Sequence, residues 1–250
     1  MKKYGLIGFP LKHSFSSGFF NEKFGREEIH AEYLNFEIDD IQKVEAIISD
    51  NPHLKGLNVT IPYKESILPF LDEISEVAQK IGAVNVVKIK RSEKTDKPIL
   101  KGYNTDYIGF KNSIQPLLNP EIHQYGLILG TGGASKAVAQ ALSDIGIEWK
   151  YVSRSKDTNR FTYEELDETI IARHTVIVNA SPIGTFPHID ESPAIPYQFL
   201  TPNHLLYDLV YNPAETQFLK NGKRKGATIK NGYEMLQLQA LAAWEIWSNI

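Results

Sequence analysis

Leu127-Ile128-Leu129-Gly130-Thr131-Gly132-Gly133-Ala134-Ser135-Lys136-Ala137 is the stretch that decides how this chain folds. Leu127 to Leu129 reads as a buried strand that runs straight into a glycine-rich turn. A helical pattern continues through Val138, Leu142 and Ile145. Glycines let the backbone turn tightly and let a pyrophosphate approach the helix N-terminus, where free N–H groups and the dipole favour an anion. Ala137 stands where a third glycine often sits and is small enough to keep helix and strand close. Such turns also serve plain tight packing, but a strand before and a helix after favour a dinucleotide site. A P-loop is excluded: Ser135 precedes Lys136, and Ala137 occupies the place of the magnesium-binding Ser or Thr.

The end of the next strand, Lys150-Tyr151-Val152, selects the dinucleotide. An NAD-binding chain places Asp or Glu there to hold the ribose 2′-hydroxyl. Here Ser153-Arg154-Ser155-Lys156 occupies that place. A guanidinium, an ammonium and flanking hydroxyls attract a 2′-phosphate that an acid would repel, so NADP is favoured over NAD. A solvated basic loop is the simpler alternative, and Asp157 leaves room for it.

Outward from this turn, Thr175–Val178 and Leu205–Asp208 read as further strands of the same unit. The N-terminal part repeats the alternation. Tyr4–Gly8, Glu32–Glu37 and Gly56–Thr60 read as strands, and Ala83–Ile89 is β-like. Phe15–Phe24 reads as a helix with Phe15, Phe19, Phe20 and Phe24 at helical spacing. Asp39 or Asp40 can cap a helix carrying Ile41, Val44, Ile47 and Ile48, and two helical pieces are expected over Lys64–Leu71 and Ile74–Ile81. Arg91–Lys97 reads as a charged, solvated hairpin loop, and a helix over Ile108–Leu118 links the halves. The apolar helix Tyr233–Trp247 is expected to return to the first domain. The fold class is therefore α/β with two domains: residues 1–107 with 232–250 binding substrate, and a Rossmann-like NADP-binding domain over 108–231.

Composition narrows the function classes. Across 250 residues, 27 Lys+Arg against 30 Asp+Glu give a net charge of −3, so no basic excess points to nucleic acid. Apolar residues at 42% and charged residues at 23% match a globular chain able to bury a sizeable core. The absence of cysteine removes disulfides, thiolate metal sites and Cys nucleophiles, and suits a cytoplasmic protein. No apolar run approaches the roughly 18 residues of a membrane span. Met1-Lys2-Lys3 and the apolar stretch after it, broken by Gly5, Gly8 and Pro10, read as a first strand and its turn, not a signal peptide. The seven histidines show no i, i+4 pair, so no metal site is expected.

Polar clusters gather near the expected strand ends, where ligands bind in open α/β sheets. His13-Ser14-Phe15-Ser16 places two hydroxyls at a helix start, suited to a carboxylate; alone, an ordinary N-cap is the simpler reading. Thr60 and Lys64 end a strand within Asn58-Val59-Thr60-Ile61-Pro62-Tyr63-Lys64. Gly82-Ala83-Val84-Asn85 sets an amide among apolar neighbours, and Gly102-Tyr103-Asn104-Thr105-Asp106 brings three polar groups to the domain junction. Each could be a turn or cap; together they suggest a site.

In this order the motifs resemble the shikimate dehydrogenase family. They include H-S-x-S at 13–16, N-V-T-x-P-x-K at 58–64, G-A-x-N at 82–85, G-x-N-T-D-x-x-G at 102–109 and G-x-G-G-A at 130–134. N-A-[ST]-P-x-G stands at 179–184, D-x-x-Y-x-P at 208–213 and G-x-x-M-L-x-x-Q at 232–239. The resemblance implies NADP-linked interconversion of 3-dehydroshikimate and shikimate, on the route to chorismate and aromatic amino acids, with a substrate cleft between two domains. It implies that Ser14 and Ser16 hold the substrate carboxylate with Tyr211 nearby, and that Thr60, Lys64, Asn85, Asp106 and Gln239 hold the ring hydroxyls. It assigns Gly130, Thr131, Gly132, Gly133 and Ala134 to the pyrophosphate and Ser153, Arg154 and Ser155 to the adenosine phosphate. Leu209, Gly232 and Met235 would border the nicotinamide, and Glu76 matches a position of cofactor contact. Ser17 replaces a usual Pro, Ser153 and Ser155 replace Asn and Thr, and a second nucleotide arginine is not evident, which implies a weaker hold on NADP.

Lys64 is the only cation in the matched substrate motifs and is the expected proton donor, with Asp106 orienting it. Two competing readings remain: a quinate/shikimate dehydrogenase with relaxed substrate or NAD use, and a catalytically silent dinucleotide sensor. Retention of Lys64 and Asp106 argues against the second. The expected partner is a small-molecule substrate, without nucleic acid or membrane, in a monomer or homodimer.

Overall fold

The computed structural model describes residues 1–11, 14–92, 95–157 and 160–249, so His13, Glu93 and Lys94 lie outside the described residues. The chain divides into two compact units, Met1–Thr105 with Ala240–Ile250, and Asp106–Gln239.

Unit 1 holds β1 (Lys2–Gly8), α1 (Phe15–Arg26), β2 (Ala31–Glu37), α2 (Lys43–Asp50), β3 (Leu54–Val59), β4 (Glu73–Ile74), α3 (Glu76–Ile81), β5 (Val86–Ser92) and β6 (Thr95–Tyr103). They form one six-stranded sheet in the order β2-β1-β3-β5-β6-β4. β1 runs parallel to β2 and β3, whereas β5 is antiparallel to β3 and β6. The carboxyl ends of β1, β3 and β6 and the amino end of β5 therefore share one edge.

Three expectations are corrected in this unit. The helix near Asp39 and Asp40 starts only at Lys43; Asp40 accepts from the Gln42 N–H at 3.0 Å, which closes a turn ahead of the helix. Residues 64–71 form turns and a single 3-10 turn at Leu68–Phe70 in place of a helix. Pro69 has no N–H to give back to the preceding turn. The charged loop expected over Arg91–Lys97 is strand at both ends: β5 runs to Ser92 and β6 starts at Thr95, hidden in the sequence by Lys97, Pro98 and Lys101.

Unit 2 holds α4 (Thr105–Ile114, from its second residue), β7 (Tyr125–Leu129), α5 (Gly133–Ile145), β8 (Glu148–Ser153), β9 (Arg160–Thr162), α6 (Glu168–Arg173), β10 (Val176–Asn179), β11 (Leu205–Asp208), α7 (Gln217–Arg224) and β12 (Thr228–Lys230). α8 (Tyr233–Ser248) begins here. The sheet is wholly parallel, in the order β12-β11-β10-β7-β8-β9. Counted from β7, this is the doubly wound dinucleotide-binding order, with its switch point between β7 and β10. Both faces are covered: Ile128, Val176 and Val178 pack with Val138 and Leu142 of α5, while Leu127, Ile177 and Leu206 pack with Phe218 and Leu219 of α7. Strands buried on both faces read as unbroken apolar runs, which is why this sheet is so plain in the sequence.

The second half of α8 belongs to unit 1. Trp247 stacks on Tyr4 at 5.1 Å between ring centroids and lies 5.3 Å from Phe20, and its indole N–H donates to the Val87 carbonyl at 3.1 Å. No helix among the described residues is long and apolar enough to cross a membrane, and no described group of three His, Cys, Asp or Glu could hold a metal ion.

At the amino edge of the unit 2 sheet, three histidines spend their ring nitrogens on backbone. His123 Nδ1 accepts from the Asn119 N–H at 2.8 Å, and His204 Nδ1 accepts from the Thr201 N–H at 3.0 Å. His174 Nδ1 meets the Ile170 carbonyl at 2.7 Å.

Candidate active site

In unit 1 the polar residues marked by the sequence collect at the shared strand edge. Ser14 caps α1, accepting from the Ser17 N–H at 3.2 Å. This is the plain N-cap, yet a hydroxyl that accepts still has its own proton to donate. Ser16, in the first turn, is hydrogen-bonded to the Tyr33 hydroxyl. Tyr33 donates in turn to Asn58 Oδ1 at 2.7 Å, and Asn58 Nδ2 reaches the Asn85 carbonyl at 3.4 Å. Asn85 Oδ1 accepts from the Thr105 N–H at 2.7 Å, while its Nδ2 donates to Thr105 Oγ1 at 3.1 Å. A continuous polar chain, buried from Tyr33 onward, thus runs from α1 to the start of α4, and full burial holds the Tyr33 hydroxyl well above its usual pKa. Thr60 leaves β3 with its N–H on the Ile7 carbonyl at 3.0 Å. The Lys64 carbonyl accepts from the Val84 N–H at 2.8 Å, which anchors Lys64 one residue from Asn85.

Glu76 opens α3 directly after β4, whose carboxyl end lies beside that of β6. It is exposed and pairs with Lys80 at 2.8 Å, which lowers the Glu76 pKa.

In unit 2, Gly130 leaves β7 with φ +106°, a left-handed conformation that favours glycine, and a Cβ there would come 3.3 Å from Ala180 O and Ser181 N. Thr131 and Gly132 are exposed, and Gly132 caps α5 without a side chain, which leaves the first-turn N–H groups of Gly133 and Ala134 open to an anion. The turn is braced from behind by Ser135, whose Oγ donates to the Gly132 carbonyl at 2.6 Å. This is the cradle a dinucleotide pyrophosphate requires, and the residues fit it.

At the end of β8, Ser153 Oγ donates to the Ser155 carbonyl at 2.8 Å, so the chain curls around an exposed Arg154. Lys156 is paired with Glu165 at 2.7 Å. On the other side of the switch point Leu209 and Gly232 touch through backbone: a Cβ on Gly232 would lie 2.1 Å from the Leu209 carbonyl oxygen. Met235 is buried one turn later, and Tyr211 is exposed. Asp106, buried at the start of α4, and Gln239 of α8 lie on helices that meet at Gly109, where a Cβ would come 2.5 Å from Met235 O and 3.1 Å from Gln239 Cβ.

Sequence reasoning missed two supports. Tyr33 passes for one more apolar strand residue, and only its inward position could mark its hydroxyl as partnered. Asp208 stands out in the sequence only as the first residue of a motif. It is fully buried and accepts from Asn179 Nδ2 at 2.9 Å, the Val210 N–H at 3.0 Å and Thr216 Oγ1 at 2.6 Å. It ties together the loops after β10 and β11, and burial pushes its carboxyl up to about 6 against those three donors.

Comparisons with known proteins agree with this geometry. Residues 6–87 match the family model described as the shikimate dehydrogenase substrate binding domain. A shikimate dehydrogenase (NADP(+)) of Carboxydothermus hydrogenoformans is 37% identical over 100% of this chain and 92% of its own length. The crystal structure of shikimate dehydrogenase from Aquifex aeolicus is 35% identical, with a TM-score of 0.85 over 99% of this chain and 92% of that one. A Thermus thermophilus shikimate 5-dehydrogenase in complex with NADP(H) and shikimate is 28% identical, with a TM-score of 0.83 over 100% of this chain and 94% of that one. With whole-length relatives at this identity, a doubly wound sheet and a strand-edge polar network, the chain belongs to the shikimate dehydrogenase family.

Proposed function

We infer that this chain catalyses the reversible NADPH-dependent reduction of 3-dehydroshikimate to shikimate. The observation that carries the reading is the presence in one chain of both halves of such a site. One is the side-chain-free cap at Gly130–Ala134, the other the Asn85–Thr105 pair beside Lys64.

Unit 1 is the proposed substrate domain and unit 2 the proposed cofactor domain. Ser14 and Ser16 present hydroxyls to the substrate carboxylate, with Tyr211 contributing. Thr60, Asn85 and Gln239 orient ring hydroxyls, and the locked Asn85 amide presents a fixed donor and acceptor pattern. Gly130, Thr131, Gly132, Gly133 and Ala134 cradle the pyrophosphate. Ser153, Arg154 and Ser155 receive the adenosine phosphate, and Leu209, Gly232 and Met235 form the nicotinamide wall. When bound, the reduced nicotinamide supplies a hydride to the ring carbonyl carbon. Lys64 stabilises the charge that grows on the carbonyl oxygen and gives it a proton, and Asp106 is its proposed carboxylate partner. The same proposal places the protein in the cytoplasm as a monomer or homodimer.

The test is loss of NADPH absorbance with 3-dehydroshikimate, run in reverse with shikimate and NADP+. Rates with NADH and with quinate measure how strict the enzyme is. No turnover on either dehydroshikimate or shikimate would overturn the reading.

A further inference from the structure

Three cations lie around the end of β8, and the structure does not treat them alike. β9 runs parallel beside β8 with Thr162 opposite Ser153, so the chain leaving β9 emerges next to the chain leaving β8. The 3-10 turn at Tyr163–Glu165 comes at once. Its capping box fixes Glu165, because Oε2 accepts the Thr162 N–H at 2.8 Å. The other oxygen, Oε1, faces Lys156 Nζ at 2.7 Å. Arg160 is paired with Asp157. Among the described residues no carboxylate lies within ion-pair distance of Arg154, and its charge is felt by the Tyr163 hydroxyl. One cation is thus open to an incoming anion, and a second, two residues along the chain, is held by an anchored carboxylate.

We propose that Glu165 sets how strongly this chain prefers NADP to NAD, by competing with the cofactor 2′-phosphate for Lys156. This inference rests on the proposed function, because it needs the adenosine end of the cofactor at the end of β8. A 2′-phosphate carries the charge to draw Lys156 off Glu165, at the cost of the existing pair; a 2′-hydroxyl does not. Glu165 therefore weakens NADP binding and leaves NAD binding alone. It is a positioning residue acting through Lys156.

Glu165→Gln is the informative variant, since Gln serves the capping box as Glu does and the turn is preserved. Isothermal titration with adenosine 2′,5′-bisphosphate and with AMP reads the site without catalysis. The Kd for the bisphosphate is expected to fall about threefold in Glu165→Gln, the scale of one exposed ion pair, with AMP unchanged. In a Lys156→Met background the same substitution is expected to have no effect, and the NADPH-to-NADH ratio of kcat/KM is expected to track the binding data. An unchanged bisphosphate Kd, an equal change for AMP, or a gain that persists without Lys156 would each overturn the inference while leaving the enzyme reading intact. A wild-type chain that binds neither the bisphosphate nor NADPH would end both.

Discussion

Asn85 and Thr105 hold each other from both sides: the Thr105 N–H and hydroxyl meet the two ends of one amide, at 2.7 Å and 3.1 Å. An amide gripped in this way cannot flip, so its outward pattern is set before substrate arrives. Thr105→Val removes the hydroxyl at constant shape. It is expected to cost about 1–3 kcal/mol of stability in urea denaturation. It is also expected to raise KM for 3-dehydroshikimate, with the NADPH KM little changed. A variant as stable as wild type with an unaltered KM would show that the pair carries no such duty.

Lys64→Ala tests the chemical step. Loss of a positioned proton donor is expected to lower kcat by about 10²–10⁴ with a smaller change in substrate KM. Steady-state kinetics in both directions checks this, and an unchanged kcat would remove Lys64 from the reaction.

The backbone contact of Gly232 with Leu209 leaves no room for a methyl group. Gly232→Ala must displace the segment around Leu209, and binding of NADPH is expected to weaken on the order of tenfold or more. Fluorescence titration measures it, with circular dichroism to confirm that the variant is folded. Wild-type affinity would show that this contact does not shape the cofactor site.

Acid stability should reveal two opposing sets of buried groups. Burial lowers the pKa of His123 and His174, so the unfolded chain, with histidine near 6.5, binds more protons. Their contribution is fully present above that value and is lost as pH falls through the folded pKa. Asp208 is raised to about 6 from 3.8, so its contribution is present at low pH and is lost as pH rises through about 6. Asp208 thus offsets part of the histidine loss on acidification. Urea denaturation between pH 7 and pH 5 is expected to show a steeper loss in Asp208→Asn and a shallower one in His174→Gln. The opposite ordering would refute the assignment.

The parallel sheet of unit 2 was legible because strands buried on both faces leave uninterrupted apolar runs, as in Leu127–Leu129 and Val176–Val178. β6 was not legible. Its register with β5 shifts between Lys90 and Ser92, and Pro98 and two lysines break any alternation. The 64–71 segment misled because its apolar spacing suits a helix while Pro69 denies the hydrogen bond. The candidate site residues stand out in the sequence as motifs, since the polar residues cluster at strand ends. Its supports were not: Tyr33 and Asp208 act through partners distant in sequence, Asn58 and Asn179, and no local pattern announces such pairings. Nor could spacing show that Lys156, read from its place after β8 as attracting a 2′-phosphate, would be taken up by Glu165.

The division of α8 between the units has a consequence for biosynthesis. The aromatic cluster around Tyr4 and Phe20 lacks Trp247 until every residue of unit 2 has been translated. Unit 2, continuous in sequence, can consolidate as it emerges from the ribosome. The N-terminal lobe must wait with an open aromatic wound, exposed to chaperones and proteases, until the closing indole arrives.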